Sequence, residues 1–173
     1  EYFAWHGLRG CHSHARCSVV IGSMYRKRDF MILIRIFDIK ETMAWLLMKD
    51  GFDSWLLEEA QVTTFARLSM QGHRNMGWYD GDERERYPHM PDCIYWREAK
   101  SILFSYIKGK RTPSQFQISL RLSKEDAVSR LGEQMAGPDV DFLLHLRFEQ
   151  GKLSAVTGCS YHAFTMDKQA EFA

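Results

Sequence analysis

The sequence lacks several features that would place it in a specialised class of protein. No apolar run approaches the roughly 20 residues that a membrane helix needs, and Val19-Val20-Ile21 is too short for the apolar core of a signal peptide. The cysteines do not have the spacing of a disulfide framework; they are Cys11, Cys17, Cys93 and Cys159. These absences predict a cytoplasmic protein, without membrane contact, whose thiols are reduced.

The sequence also has almost no net charge. Its 173 residues carry 23 lysines and arginines against 22 acids. Residues 1–30 contain five of these bases and two of the acids, so the rest carries 18 bases and 20 acids, a net charge of −2. Proteins that bind nucleic acid usually have a clear basic excess, so the total charge does not support a generic affinity for DNA. The composition is that of one soluble globular domain.

No complete catalytic motif is present. Gly109-Lys110 lacks the first glycine and the Ser or Thr of a phosphate loop, and it ends a predicted helix instead of beginning one. Gly158-Cys159-Ser160 lacks the second glycine of a nucleophile elbow. Cys159 with His145 or His162 can form a thiolate–imidazole pair, which makes these three the candidate catalytic residues. The alternative is a small buried cysteine with histidines near strand edges.

Residues 1–30 show no sustained apolar period, and we interpret them as a disordered or non-native N-terminal extension. A zinc site is the alternative, because this segment contains Cys11, His12, His14 and Cys17. Structural zinc sites usually pair their ligands as C-x2-4-C and H-x3-5-H, and this segment does not. The sequence therefore predicts no metal and no cofactor.

The clearest structural pattern begins at Phe116. Apolar and polar residues alternate to Leu122, which predicts a half-buried strand. Ser123 then caps a predicted helix that runs to Gly137-Pro138. Predicted strands follow at 141–149, 153–157 and 161–166, and Gln150-Gly151 forms the hairpin between the first two.

The pattern at the start of the domain is similar. Alternation over 32–37 predicts a strand, Asp38 caps a helix that ends at Asp50-Gly51, and strands follow at 55–59 and 62–70. The order of strand, helix and paired strands is the same as after Phe116, which suggests an internal duplication of a βαββ unit; chance similarity is the alternative. Residues 73–92 are rich in charge and glycine and predict an exposed loop.

A strong amphipathic helix is predicted from Trp96 to Lys108. Its apolar stripe contains Trp96, Ala99, Leu103 and Tyr106. Basic residues cluster on this helix and just after it, and we predict that they form the binding site: Arg97, Lys100, Lys108, Lys110 and Arg111. The alternative is an ordinary solvated helix face. Together the patterns predict a single α+β domain over 31–173, with a mainly antiparallel sheet and about three helices.

Three segments carry a family resemblance: ILIRIFDIKE, YWREAKSILFSYIKGKRTPSQF and LRFEQGKLSAVTGCSYHAFTMD. Over residues 31 to about 167 the chain resembles an uncharacterised bacterial, mainly clostridial family, domain-of-unknown-function family 5721, which implies no activity. The repeated units also resemble half-domains of the DNA sliding-clamp fold, in which helices line the DNA side, although a fold does not fix a function. The sequence predicts a non-enzymatic binding or scaffold module with a nucleic-acid or protein partner; the alternative is a small cysteine-dependent hydrolase or transferase.

Overall fold

A computed structural model describes residues 20–23, 32–86, 90–109, 111–133, 136 and 140–161. Within these residues the chain forms one antiparallel sheet of seven strands together with four helices, which confirms the α+β class. The strands are β1 Val20–Ser23, β2 Ile32–Ile36, β3 Leu56–Thr63, β4 Arg67–Gln71, β5 Gln115–Arg121, β6 Val140–Glu149 and β7 Lys152–Tyr161. The helices are α1 Ile39–Leu47, α2 Gly81–Arg86, α3 Trp96–Ile107 and α4 Lys124–Leu131. The sheet order is β1-β2-β7-β6-β5-β3-β4.

Three helices begin where the sequence supplies a partner for a terminal N–H group. The Asp38 carboxylate accepts a hydrogen bond from the Glu41 amide at 2.9 Å, and Ser123 Oγ accepts one from the Asp126 amide at 3.3 Å. At the start of α3 the Glu98 carboxylate accepts a hydrogen bond from the Tyr95 amide at 2.7 Å. These contacts satisfy donors that have no partner inside the helix, and two of the three caps were predicted.

The β6–β7 hairpin turns at the predicted position. Gln150 and Gly151 both have positive φ angles, 52° and 72°, as a tight two-residue hairpin turn requires. The prediction of two separate strands after this turn was wrong, because β7 continues through Gly158, which pairs with Leu143 of β6. The segment 162–166 of the predicted last strand lies outside the described residues.

Other predicted boundaries were also wrong. Helix α4 ends at Leu131, because Gly132 adopts a φ of 85° that a helix cannot continue. The first long hairpin turns at residues 64–66, since Ala60 and Gln61 remain paired with β5 and β4. Part of the predicted loop 73–92 forms the short helix α2. No helix among the described residues is long and apolar enough to cross a membrane.

The main core lies between one face of the sheet and helices α1 and α3. Leu57, Val62, Ile118 and Leu120 of the sheet are fully buried against Leu46, Trp96, Ala99 and Leu103 of the helices. The Trp96 indole N–H donates to the Leu46 carbonyl at 2.6 Å, so the largest buried side chain has its polar group satisfied. Successive strand residues point to opposite faces, so the other face of the sheet carries polar side chains such as Gln61, Gln117 and Arg147.

The two repeated units do not occupy equivalent places in this sheet. Strands β5, β6 and β7 are neighbours, whereas β2 is separated from β3 by three other strands. Strand β1 pairs with β2 and lies inside the range 1–30, for which the sequence predicts an unstructured extension. The rest of that range, including Cys11, His12, His14 and Cys17, lies outside the described residues.

Candidate functional site

The predicted basic residues have different environments. Arg97, Lys108 and Arg111 are exposed, and the Arg97 guanidinium lies 4.2 Å from the centroid of the Tyr95 ring. Lys110 lies outside the described residues. Lys100 differs from the others, because its ammonium group lies 2.5 Å from Asp53 Oδ1 and 3.3 Å from Asp50 Oδ1.

Lys100 is held by the segment that follows α1. Its ammonium group also donates to the Lys49 carbonyl at 3.2 Å, and only 17% of its side chain is exposed. Burial opposes the charged form, but the hydrogen bonds to Asp53 and Asp50 raise the pKa of Lys100 overall. A phosphate group would have to displace two carboxylates to reach this ammonium group. Lys100 is therefore engaged by carboxylates, whereas Arg97, Lys108 and Arg111 are exposed.

An apolar surface lies beside the exposed basic residues. The Phe65 side chain, at the tip of the β3–β4 hairpin, is 93% exposed, and Ile102 on α3 is 53% exposed. The Tyr106 hydroxyl donates to the Ala66 carbonyl at 2.9 Å and its ring lies 5.9 Å from that of Phe65. Ile102 is one helical turn before Tyr106. We call Phe65, Ile102 and Tyr106 the hairpin surface.

The chain that leaves α3 passes the same hairpin. The Ser114 amide donates to the Thr63 carbonyl at 3.0 Å, so the connection from α3 to β5 is fixed beside the end of β3. This connection contains the exposed residues Lys108 and Arg111. The connection that carries these basic residues therefore runs beside the β3–β4 hairpin, and we take it as the border of the hairpin surface.

The structure does not bring Cys159 and His145 together. Cys159 pairs with Phe142 and His145 pairs with Val156 in the β6–β7 hairpin. Phe142 and His145 are three residues apart on β6, so their side chains point to opposite faces of the sheet. The side chain of Cys159 lies on the face of its partner Phe142 and therefore points away from that of His145. The His145 Nδ1 atom lies 2.8 Å from Ser119 Oγ on β5. His162 lies outside the described residues.

A different polar cluster forms where β3 bulges. The pairing of β3 with β5 shifts between Leu57 and Glu59, which makes Glu58 the extra residue. The backbone around Gly72 and Ile94 is hydrogen-bonded at this point. The Leu57 amide donates to the Ile94 carbonyl and the Ile94 amide donates to the Gly72 carbonyl, both at 2.8 Å. A bulge of this kind redirects a side chain out of the regular alternation.

Arg121 is the centre of this cluster. Its Nε atom lies 2.6 Å from Glu58 Oε1, one terminal nitrogen lies 2.6 Å from Asp92 Oδ1, and the other lies 3.4 Å from Asp141 Oδ2. The ammonium group of Lys124 lies 2.9 Å from the second oxygen of Asp141. Burial opposes the charged form of Arg121, but the hydrogen bond to Asp92 and the charge of Glu58 raise its pKa overall. We call Glu58, His73, Asp92, Cys93, Arg121, Lys124 and Asp141 the bulge cluster.

Cys93 is the most deeply buried member of the bulge cluster. Its side chain is fully buried, with Sγ 3.6 Å from His73 Nδ1 and 3.9 Å from Glu58 Oε1. Burial raises the pKa of the Cys93 thiol, and the Glu58 charge adds to this shift. A nucleophilic cysteine needs a lowered pKa and access to substrate, so the geometry does not favour Cys93 as a nucleophile.

An open cleft lies over the bulge cluster on the polar face of the sheet. Its volume is about 550 Å³, and it is lined by Glu58, Glu59, Gln71, His73, Ser119, Leu143 and His145. Glu58 and His73 thus belong both to the cluster and to the cleft. Sequence reasoning missed the cluster because its members come from separate parts of the chain that share no motif spacing. Arg121 is the one charged residue in the polar row of β5.

Comparison with known proteins gives one match. The model of a family described as a family of unknown function (DUF5721) matches residues 45–173. No curated protein and no solved structure matches the chain. The family resemblance found in the sequence is confirmed, and the resemblance to sliding clamps stays a prediction.

Proposed function

The chain belongs to the family of unknown function DUF5721, and since that membership assigns no activity, we propose from its geometry that it is a non-enzymatic binding module with a protein partner. The observation that carries this proposal is the hairpin surface. Phe65 and Ile102 are large apolar side chains, and they are 93% and 53% exposed. Adjacent exposed apolar side chains with a polar border are typical of protein-interaction sites.

The border indicates the chemistry of the partner. Lys108 and Arg111 are exposed beside the hairpin surface, and no ion pair involving either of them occurs among the described residues. A segment with one or two apolar side chains and neighbouring carboxylates would complement both parts of this surface. We therefore expect an acidic, apolar protein segment as the partner.

Nucleic acid is the less favoured partner. Lys100 is engaged by Asp53 and Asp50, which leaves fewer cations for phosphate contacts than the sequence suggests. Residues 31–173 carry 18 bases against 20 acids.

A random peptide display library tests the proposal with the purified full chain as bait. We expect selected peptides to combine acidic and apolar residues. Binding of such a peptide, measured by fluorescence anisotropy, should weaken at least about tenfold in Phe65→Ser and Ile102→Ser, as for apolar residues central to an interface. Phe37→Ser is the matched control, because Phe37 is also exposed, at 54%, but follows β2.

Two outcomes would contradict the proposal. Peptides whose binding is equally affected by Phe37→Ser would show that the hairpin surface is not the site. Binding of a labelled mixed-sequence oligonucleotide that falls steeply between roughly 50 and 200 mM salt would instead identify nucleic acid as the partner.

A further inference from the structure

We propose that Glu58, His73 and Cys93 form a binding site for a divalent transition-metal cation such as zinc. The three side chains offer a carboxylate oxygen, an imidazole nitrogen and a thiol sulfur, each of which is a common zinc ligand. One ligand atom from each lies within 4.8 Å of the others. The site goes beyond the binding role proposed above and lies on a different part of the fold.

The distances fit a metal shell without rearrangement of the backbone. Zinc bonds of about 2.0–2.3 Å at tetrahedral angles place ligand atoms roughly 3.5 Å from each other. The observed separations are 3.6 Å from Cys93 Sγ to His73 Nδ1 and 3.9 Å from Cys93 Sγ to Glu58 Oε1. The set needs only small side-chain movements to close on a cation.

Backbone pairing holds the three proposed ligand residues in position. His73 and Cys93 face each other in an isolated antiparallel bridge. Glu58 is the bulged residue of β3, and its carbonyl accepts a hydrogen bond from the Gly72 amide at 2.9 Å. All three ligands are therefore attached to hydrogen-bonded backbone, which is the condition for a preorganised site.

The charges of the bulge cluster also fit a divalent cation. Glu58, Asp92 and Asp141 carry three formal negative charges, and Arg121 and Lys124 carry two positive charges, a formal difference of −1. Thiolate formation at Cys93 on metal binding adds a second negative charge, and a divalent cation neutralises both. Arg121 contacts Glu58 through Oε1, the same oxygen that lies near the Cys93 thiol, so its guanidinium would be the outer partner that orients this carboxylate.

Three protein ligands leave one tetrahedral position open. Glu58 and His73 line the cleft of about 550 Å³, so this position faces the cleft. A water molecule or a ligand atom from outside the chain would complete the shell. Such an open shell differs from structural zinc sites, in which the protein supplies all four ligands.

The test measures the affinity of zinc ion alone for the metal-free full chain, by competition with a chromophoric chelator. Mutating a residue that contacts a metal ligand, but not the metal itself, lowers metal affinity roughly 10–100-fold. Removal of a ligand should therefore lower the affinity at least about 100-fold. We expect that loss in Cys93→Ser and in His73→Ala. His73 is exposed, so His73→Ala should fold even if Cys93→Ser does not. With cobalt, a thiolate charge-transfer band should appear in the wild type and disappear in Cys93→Ser.

Matched controls separate this site from the other cysteines and histidines. Cys17→Ser changes the group of cysteines and histidines between residues 11 and 17 of the sequence. His145→Ala removes the other imidazole that lines the cleft. Both variants should retain the wild-type zinc affinity. The proposal fails if the wild type binds zinc no more tightly than His73→Ala, or if Cys17→Ser abolishes zinc binding while His73→Ala does not.

Discussion

Gly72 lies directly against the backbone of Leu57, at the bulge of β3. A Cβ atom on Gly72 would overlap the Leu57 carbonyl oxygen and stand 2.5 Å from the carbonyl carbon. The Gly72 amide donates to the Glu58 carbonyl, and the Gly72 carbonyl accepts from the Ile94 amide. Any side chain at residue 72 would therefore force apart the segments that carry Glu58, His73 and Cys93.

Gly72→Ala should strongly destabilise the fold. Overpacking usually costs about 1–3 kcal/mol, and here the obstacle is backbone that is hydrogen-bonded on both sides. The measurement is the free energy of unfolding in urea. Gly81→Ala is the control, because a Cβ atom there meets nothing within 4 Å, and it should change stability by less than about 0.5 kcal/mol. Equal effects of the two substitutions would contradict the close approach.

Leu103→Ala should cost about 2–5 kcal/mol, the range for removing buried leucine atoms and leaving a cavity. Leu103 is fully buried in the main core, whereas the preceding residue, Ile102, is 53% exposed. Ile102→Ala should therefore change the free energy of unfolding by well under half as much. If thermal and urea unfolding show similar losses for the two variants, the orientation of α3 described above is wrong.

Arg121→Met should be among the most damaging single substitutions of a charged residue. Removing one partner of a buried ion pair costs about 3–5 kcal/mol, because the remaining charge stays buried. Only 13% of the Arg121 side chain is exposed, and 6% of that of Asp141. Arg147→Met is the control, because Arg147 pairs with Glu149 at 2.8 Å but is 65% exposed, and exposed pairs contribute about 1 kcal/mol or less. Chemical unfolding of both variants at neutral pH measures the difference.

Lys100 should stabilise the protein at neutral pH and lose this effect in alkali. Hydrogen bonds to Asp53 and Asp50 outweigh burial and raise its pKa above the ordinary value of 10.5. A group whose pKa is raised by folding contributes its stability below the unfolded value and loses it as the pH rises through the folded value.

The difference in unfolding free energy between wild type and Lys100→Met should therefore be constant up to about pH 10 and shrink above it. We expect a difference of about 1 kcal/mol at neutral pH, since the pair is only partly shielded from water. Lys108→Met, at an exposed position, should show no such dependence. A constant difference at all pH values would indicate that Lys100 contributes by packing and not by charge.

The sequence predicted those parts of the fold that depend on local periodicity. Strand β5, the cap at Ser123 and the turn at Gln150 each follow from residues adjacent in the chain. Boundaries that depend on partners far along the chain were predicted less well. Ala60 and Gln61 resemble a turn in isolation and remain in β3 because β5 pairs with them.

The candidate sites also depend on partners that are far apart along the chain, so they were predicted less well than the local elements. Lys100 has the helical position of a solvated lysine, and no residue near it in the sequence indicates that Asp50 and Asp53 are its partners. Cys159 and His145 lie close in the sequence, but the pleat of the sheet separates them. Glu58, His73 and Cys93 meet only because of a bulge and a single bridge, neither of which leaves a pattern in the sequence.

The position of β2 in the sheet has a consequence for the order of folding. The β5–β6–β7 meander joins strands that are close along the chain, whereas β2 pairs with β7, whose sequence is about 120 residues away, and closing so long a loop is slow. We therefore expect the amides of β6 to gain protection in pulsed hydrogen exchange before those of β2. Until β2 docks, the newly formed β7 presents an unpaired edge, so the folding chain is most vulnerable to aggregation in this interval.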